Sequence, residues 1–92
     1  MDDRRFQQIS KTVADPSRLS ALEMIAKCDE TTCFHIREHL GLTPATVSHH
    51  VKELEATGLV ALRKRSKFLY VRLNRPVWTA YLRELERRIP KF

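Results

Sequence analysis

Apolar residues recur at helical spacing over most of this chain and at alternate positions over one stretch after Gly58. Phe6, Ile9 and Val13 form a narrow stripe over residues 4–13, which predicts a first helix ending near Ala14. Asp15-Pro16 then makes a fresh start, with Asp as N-cap and Pro at the first helical position. The second helix is expected to reach about Lys27 and to bury Leu19, Leu22, Ile25 and Ala26. Arg18 stands near its start, against the helix dipole, which points to a specific contact such as a phosphate or a carboxylate. Residues 28–32 read as a polar connection. A short third helix follows, about Cys33 to His39, with Cys33, Ile36 and Leu40 inward and His35 and His39 facing away.

The stretch from Leu40 to Gly58 organises the rest. Gly41 suits the left-handed conformation that ends a helix. Thr43 is a good N-cap, Pro44 fits the first turn, and Gly58 stops the helix. Val47, Val51 and Leu54 give it one apolar stripe. Opposite that stripe lie Ala45, His49 and Lys52, flanked by Thr46, Ser48 and Glu53. Small side chains let a helix lie deep in a groove, and Ser, Thr, His and Lys donate to phosphates and base edges.

After Gly58 the period shortens to two. Val60 and Leu62 alternate, then Leu69, Val71 and Leu73, separated by Lys64 to Lys67. This predicts a two-stranded hairpin with a basic tip. Its turn holds no Gly or Asn, so Arg65 or Ser66 is expected to carry a positive φ. A last helix runs from about Pro76 to Ile89, with Trp78, Tyr81, Leu82, Leu85 and Ile89 as its stripe and Arg83, Glu84, Arg87 and Arg88 outside. The expected fold is therefore mainly α with a small β-hairpin: three helices, a turn, a recognition helix, a basic wing and a closing helix. That is a winged helix-turn-helix, filling residues 1–92 as one domain.

Charge sharpens this picture. The formal net charge is +6. From Leu59 to Arg75 there are six basic residues and no acidic one, while the remaining segments balance. The excess thus falls on the wing, where Arg63, Lys64, Arg65 and Lys67 would reach backbone phosphates or an adjacent minor groove. Two cysteines make no disulfide framework, and no apolar run approaches a membrane span. A cytoplasmic protein with no membrane partner is expected. No Ser-His-Asp arrangement, glycine-rich phosphate loop or carboxylate pair is present, which argues against an enzyme.

Two segments carry a family likeness. ADPSRLSALEMIA (residues 14–26) and LTPATVSHHVKELEATGLVALRKRSKFLYVRLN (residues 42–74) resemble the second helix, recognition helix and wing of the ArsR/SmtB repressors. The resemblance implies a homodimer built from the N-terminal helix (about 4–13) and the C-terminal helix (about 76–89). Phe6, Ile9 and Val13 at one end, with Trp78, Tyr81, Leu82 and Leu85 at the other, give more apolar stripe than a chain this short needs alone. It also implies DNA contacts by Thr43, Thr46, Ser48, His49 and His50. By its angle His50 lies nearest the buried edge, and helix packing is an equal alternative for it. Where the family often has Gly at the wing turn, this chain has Ser66.

Many relatives of that kind release DNA on binding a metal. One family site has a Cys-Val-Cys pattern at the third helix, where this chain has Thr32-Cys33-Phe34. Another uses Asp, His and Glu on the last helix, but residues 76–89 contain no His, Asp or Cys. Cys28, Cys33, His35 and His39 lie close in sequence and suit a soft metal or zinc. Helical geometry, however, puts Cys33 inward and both His outward. No metal site and no cofactor are therefore expected. A Cys28–Cys33 redox switch is disfavoured by the inward thiol.

The sequence thus predicts a homodimeric repressor on a palindromic DNA operator, with helix 43–57 in the major groove and wing 63–67 on the backbone. The alternatives are a winged-helix module that binds protein or RNA. The first would show an apolar anchor on the recognition face, which is lacking. The second has only Phe68 and Tyr70 as stacking platforms.

Overall fold

Side-chain caps and prolines set most of the helix starts in the computed structural model, which describes residues 1–92. Helix α1 (Asp3–Val13) begins where Asp2 accepts the Arg5 amide at 2.8 Å. Helix α2 (Pro16–Ala26) is capped by Asp15 on the Arg18 amide, also at 2.8 Å. Thr32 caps helix α3 (Cys33–Leu40), which Gly41 ends at φ +66. Thr43 and Pro44 open helix α4 (Pro44–Ala56), the helix expected from the sequence to face DNA. Helix α5 (Arg75–Arg88) follows Asn74 and has no side-chain cap. Each such cap stabilises its helix by about 1 kcal/mol.

The sheet has three strands, one more than the hairpin expected. Strands β1 (Thr31–Thr32), β2 (Val60–Arg65) and β3 (Phe68–Leu73) lie in the order β1-β3-β2, all antiparallel. Thr31 pairs with Val71 and Thr32 with Tyr70. Two polar residues are too short to show a period, so the sequence presented this strand as loop. In the hairpin Val60 faces Leu73 and Arg65 faces Phe68, leaving Ser66 and Lys67 at the tip. No helix is long and apolar enough to cross a membrane.

Ile9, Ile25, Ile36, Val47, Val51, Leu54, Leu59 and Val71 form the fully buried centre. The stripe of α2 is rotated from the one expected. Ser17 reaches α4 and Arg18 reaches α1, so Ala21, Leu22 and Ile25 turn inward and Leu19 is exposed. The stripe of α5 divides. Tyr81 is buried, its ring 5.2 Å from that of Phe6 and its hydroxyl 2.9 Å from Ser10 Oγ, whereas Leu82 and Ile89 are bare. Glu84, expected outside, is buried instead. It accepts from Arg87, and from Arg88 Nε at 2.8 Å, and these bonds hold its carboxyl down to about 2. Arg88 also pairs with Asp3 at 2.9 Å and lies 3.9 Å over the Phe6 ring, fastening α5 to α1.

Candidate nucleic-acid interface

Helix α4 buries Val47, Val51 and Leu54 and turns Ala45, His49 and Lys52 to solvent, with Thr46 and Ser48 half-buried beside them. The Thr43 hydroxyl accepts from the Thr46 amide at 3.2 Å and donates to Thr46 Oγ1 at 2.8 Å. Thr43 is therefore committed to the cap first.

His50 departs from the expected set. It is 7% exposed, packed against α2 with Nε2 2.9 Å from Ser17 Oγ and 4.0 Å from an Asp15 carboxylate oxygen. Its Nδ1 is buried without a partner. A proton on Nε2, donated to Ser17, avoids stranding an N–H at that nitrogen. Burial chiefly pushes the imidazole pKa down, helped by Arg18 and His49, with Asp15 opposing. Its side chain faces the core, so the reading of His50 as a DNA contact gives way to one of helix packing.

At the wing tip Ser66 takes φ +56 and Lys67 does not share a positive value. Positive φ at only the first of two central residues is the pattern of a type II′ turn, where glycine is preferred. Lys64, Arg65 and Lys67 are exposed and enter no ion pair. Lys67 Nζ lies 5.6 Å over the Phe68 ring. Arg63 differs: it grips Glu30 through Nη2 at 2.8 Å and Nε at 3.4 Å, with its guanidinium 5.0 Å over Tyr70. The pair holds the Glu30 carboxyl below its ordinary range. Arg63, expected to meet phosphate, is thus already neutralised by an acid that folding brings from the β1 approach.

Two further arginines have structural work that the sequence reading missed, and Arg18, which it singled out for a specific contact, has another. Arg5 donates to the Thr57 carbonyl at the end of α4, and Arg75 to the Ala26 carbonyl at the end of α2. Arg18 donates to the Thr12 carbonyl in the last turn of α1 at 2.7 Å, so its contact is neither phosphate nor carboxylate. Each places a cation at the negative end of another helix. No local spacing announces such contacts.

The expected pairing surface is also reduced. Phe6, Ile9 and Tyr81 are buried within the chain, so they are not free to meet a second copy. Val13, Trp78 and Leu85 are half-buried, and Leu82 and Ile89 are 44% and 71% exposed. Cys28 and Cys33 are free thiols, and burial pushes the Cys33 pKa up. His35 and His39 stack on the outer face of α3 with ring centroids 6.4 Å apart. No three metal-ligating side chains converge anywhere in the chain.

Comparison with known proteins fits this geometry. A family model described as bacterial regulatory protein, arsR family, matches residues 15–61. The HTH-type transcriptional regulator YceK of Bacillus subtilis (strain 168) is 34% identical over 82 residues, covering 88% of this chain and 82% of that protein. The arsenical resistance operon repressor of Staphylococcus xylosus is 34% identical over 74 residues, 80% of this chain and 70% of its own. Among solved structures, an ArsR-like transcriptional regulator from Rhodococcus sp. RHA1 superposes with a TM-score of 0.81 at 19% identity, over 91% of this chain and 78% of that one. A homodimeric winged helix-turn-helix DNA-binding domain from Mycobacterium bovis gives 0.75 at 22%, over 100% and 92%.

Proposed function

This chain belongs to the arsR family of bacterial regulatory proteins, and from that premise we propose that it is a homodimeric transcriptional repressor of a palindromic DNA operator. It is a regulator and not an enzyme. The observation that carries the reading is the meeting of two surfaces. The first turns of α4, through Pro44 and Ser48, and the wing tip, through Lys67 and Phe68, border one cavity and so lie side by side. One element offers small hydrogen-bonding side chains, the other cations that enter no ion pair.

Ala45, Thr46, Ser48 and His49 enter the major groove, with Lys52 toward its edge. Lys64, Arg65 and Lys67 neutralise phosphates alongside. A second copy covers the apolar face of Leu82, Leu85 and Ile89, as two half-sites about 34–36 Å apart require two recognition helices. Named homologues that are repressors, and the homodimeric M. bovis domain, support the assignment. A DNA-binding regulator of a bacterial family acts in the cytoplasm.

Base reading tests the proposal. Ser48→Ala or His49→Ala should weaken binding to a selected operator by about 1–3 kcal/mol and relax its sequence preference. Unchanged preference in both would remove α4 from the readout.

A further inference from the structure

A cavity of about 550 Å³ opens between α3, the start of α4 and the wing tip. Phe34, Val47, Phe68 and Leu69 wall it, Arg37 and Lys67 also line it, and no acidic residue does. Phe34 and Phe68 both line it while leaving 52% and 39% of their surface exposed. Each ring carries a cation: the Arg37 guanidinium lies 4.7 Å over Phe34, and the Lys67 ammonium 5.6 Å over Phe68. Two exposed aromatics facing one space form an apolar patch that solvent does not favour.

The size lies within the range of small-molecule sites, which are apolar clefts with a few placed polar groups. A nucleic-acid backbone fits poorly, since its charged and hydrated surface would meet phenyl walls. The lining instead matches an apolar body with one negative charge, the body against Phe34 and Phe68 and the charge on Lys67, with Ser48 also at the wall.

We propose that this cavity binds a small aromatic carboxylate or similar organic anion, and that its occupation expels DNA. The second half rests on the operator reading above. A bound anion takes Lys67 from the phosphates and adds negative charge between the wing and the recognition helix, where the duplex must approach.

The probe is 2-naphthoate, with 2-naphthylmethanol as its neutral counterpart, titrated into the isotope-labelled chain without DNA. Saturable amide shifts should cluster at residues 33–37, 45–48 and 67–69. The alcohol should bind about ten-fold more weakly, and Lys67→Gln should bring the carboxylate down to the alcohol's affinity. Shifts centred on Leu82 and Ile89, equal affinity for both probes, or no shift at about 1 mM would overturn the site. Adding 2-naphthoate to the DNA complex should release the duplex, and an unaltered complex would overturn the competition. A protein that bound no duplex even without probe would defeat the operator reading alone, leaving the shift titration to decide the cavity.

Discussion

The guanidinium of Arg5 donates from both Nε and Nη2 to the carbonyl oxygen of Thr57, at 3.3 Å each. A cation from the first helix thereby closes the C-terminus of the recognition helix. The adjoining Gly58 makes room for it: at φ +82, a Cβ built there would collide with Arg5 Nη2.

Gly58→Ala should therefore cost more than Gly41→Ala. At Gly41, φ is +66 and nothing lies within 4 Å of an added Cβ, so only backbone strain of about 1–2 kcal/mol is expected. At Gly58 the same strain is joined by loss of the Arg5 bonds, roughly 1 kcal/mol more. In an Arg5→Ala background the extra cost should vanish. Urea denaturation of the double-mutant cycle measures this, and an undiminished cost would uncouple the two residues.

The wing cations should not be equivalent on DNA. Removing Lys64, Arg65 or Lys67 should each flatten the salt dependence of binding by about one unit. Arg63→Gln should do much less, because Glu30 already occupies its guanidinium. Glu30→Gln should raise affinity and steepen the slope by freeing Arg63. Anisotropy titrations across a salt series decide it. A full-sized effect of Arg63→Gln would mean that the pair opens on the duplex.

His50 should make the fold sensitive to mild acid. Its folded pKa is depressed below 6.5, so the unfolded chain takes the proton first as pH falls. The contribution is complete above about 6.5, declines as pH drops toward the lowered folded value, and levels off below it. His50→Gln should remove this component from the pH dependence of stability. Equal slopes for wild type and variant between neutral pH and the mildly acid range would show that His50 takes up its proton equally in the folded and unfolded chain, with no depression by the fold.

Local punctuation made the helices and the hairpin readable. Thr43-Pro44, Gly41 and Gly58 bound the recognition helix in sequence as they do in space, and the lack of Gly or Asn at the wing turn foretold a strained residue, which is Ser66. Period two marked β2 and β3 because each has six residues. What escaped were contacts between residues distant in the chain. The Thr31-Thr32 strand exists only because β3 pairs with it. Arg88, which bonds Glu84, is tied to Asp3 at the far end of the chain, and Arg63 is held by Glu30 from the approach to β1. The direction of His50 was open by angle alone, and Ser17 settles it.

The most direct measurement is selection of bound sequences from a random duplex pool at physiological salt, run with wild type and with Leu82→Glu. Leu82 is exposed in the single chain, so the substitution leaves the fold intact while charging the proposed pairing face. Wild type should enrich an inverted repeat whose halves lie about one helical turn or a multiple of it apart, and Leu82→Glu should lose the repeat and sediment as a monomer. No enriched sequence with wild type, or the same repeat bound equally by a Leu82→Glu monomer, would contradict a dimeric repressor reading DNA through α4.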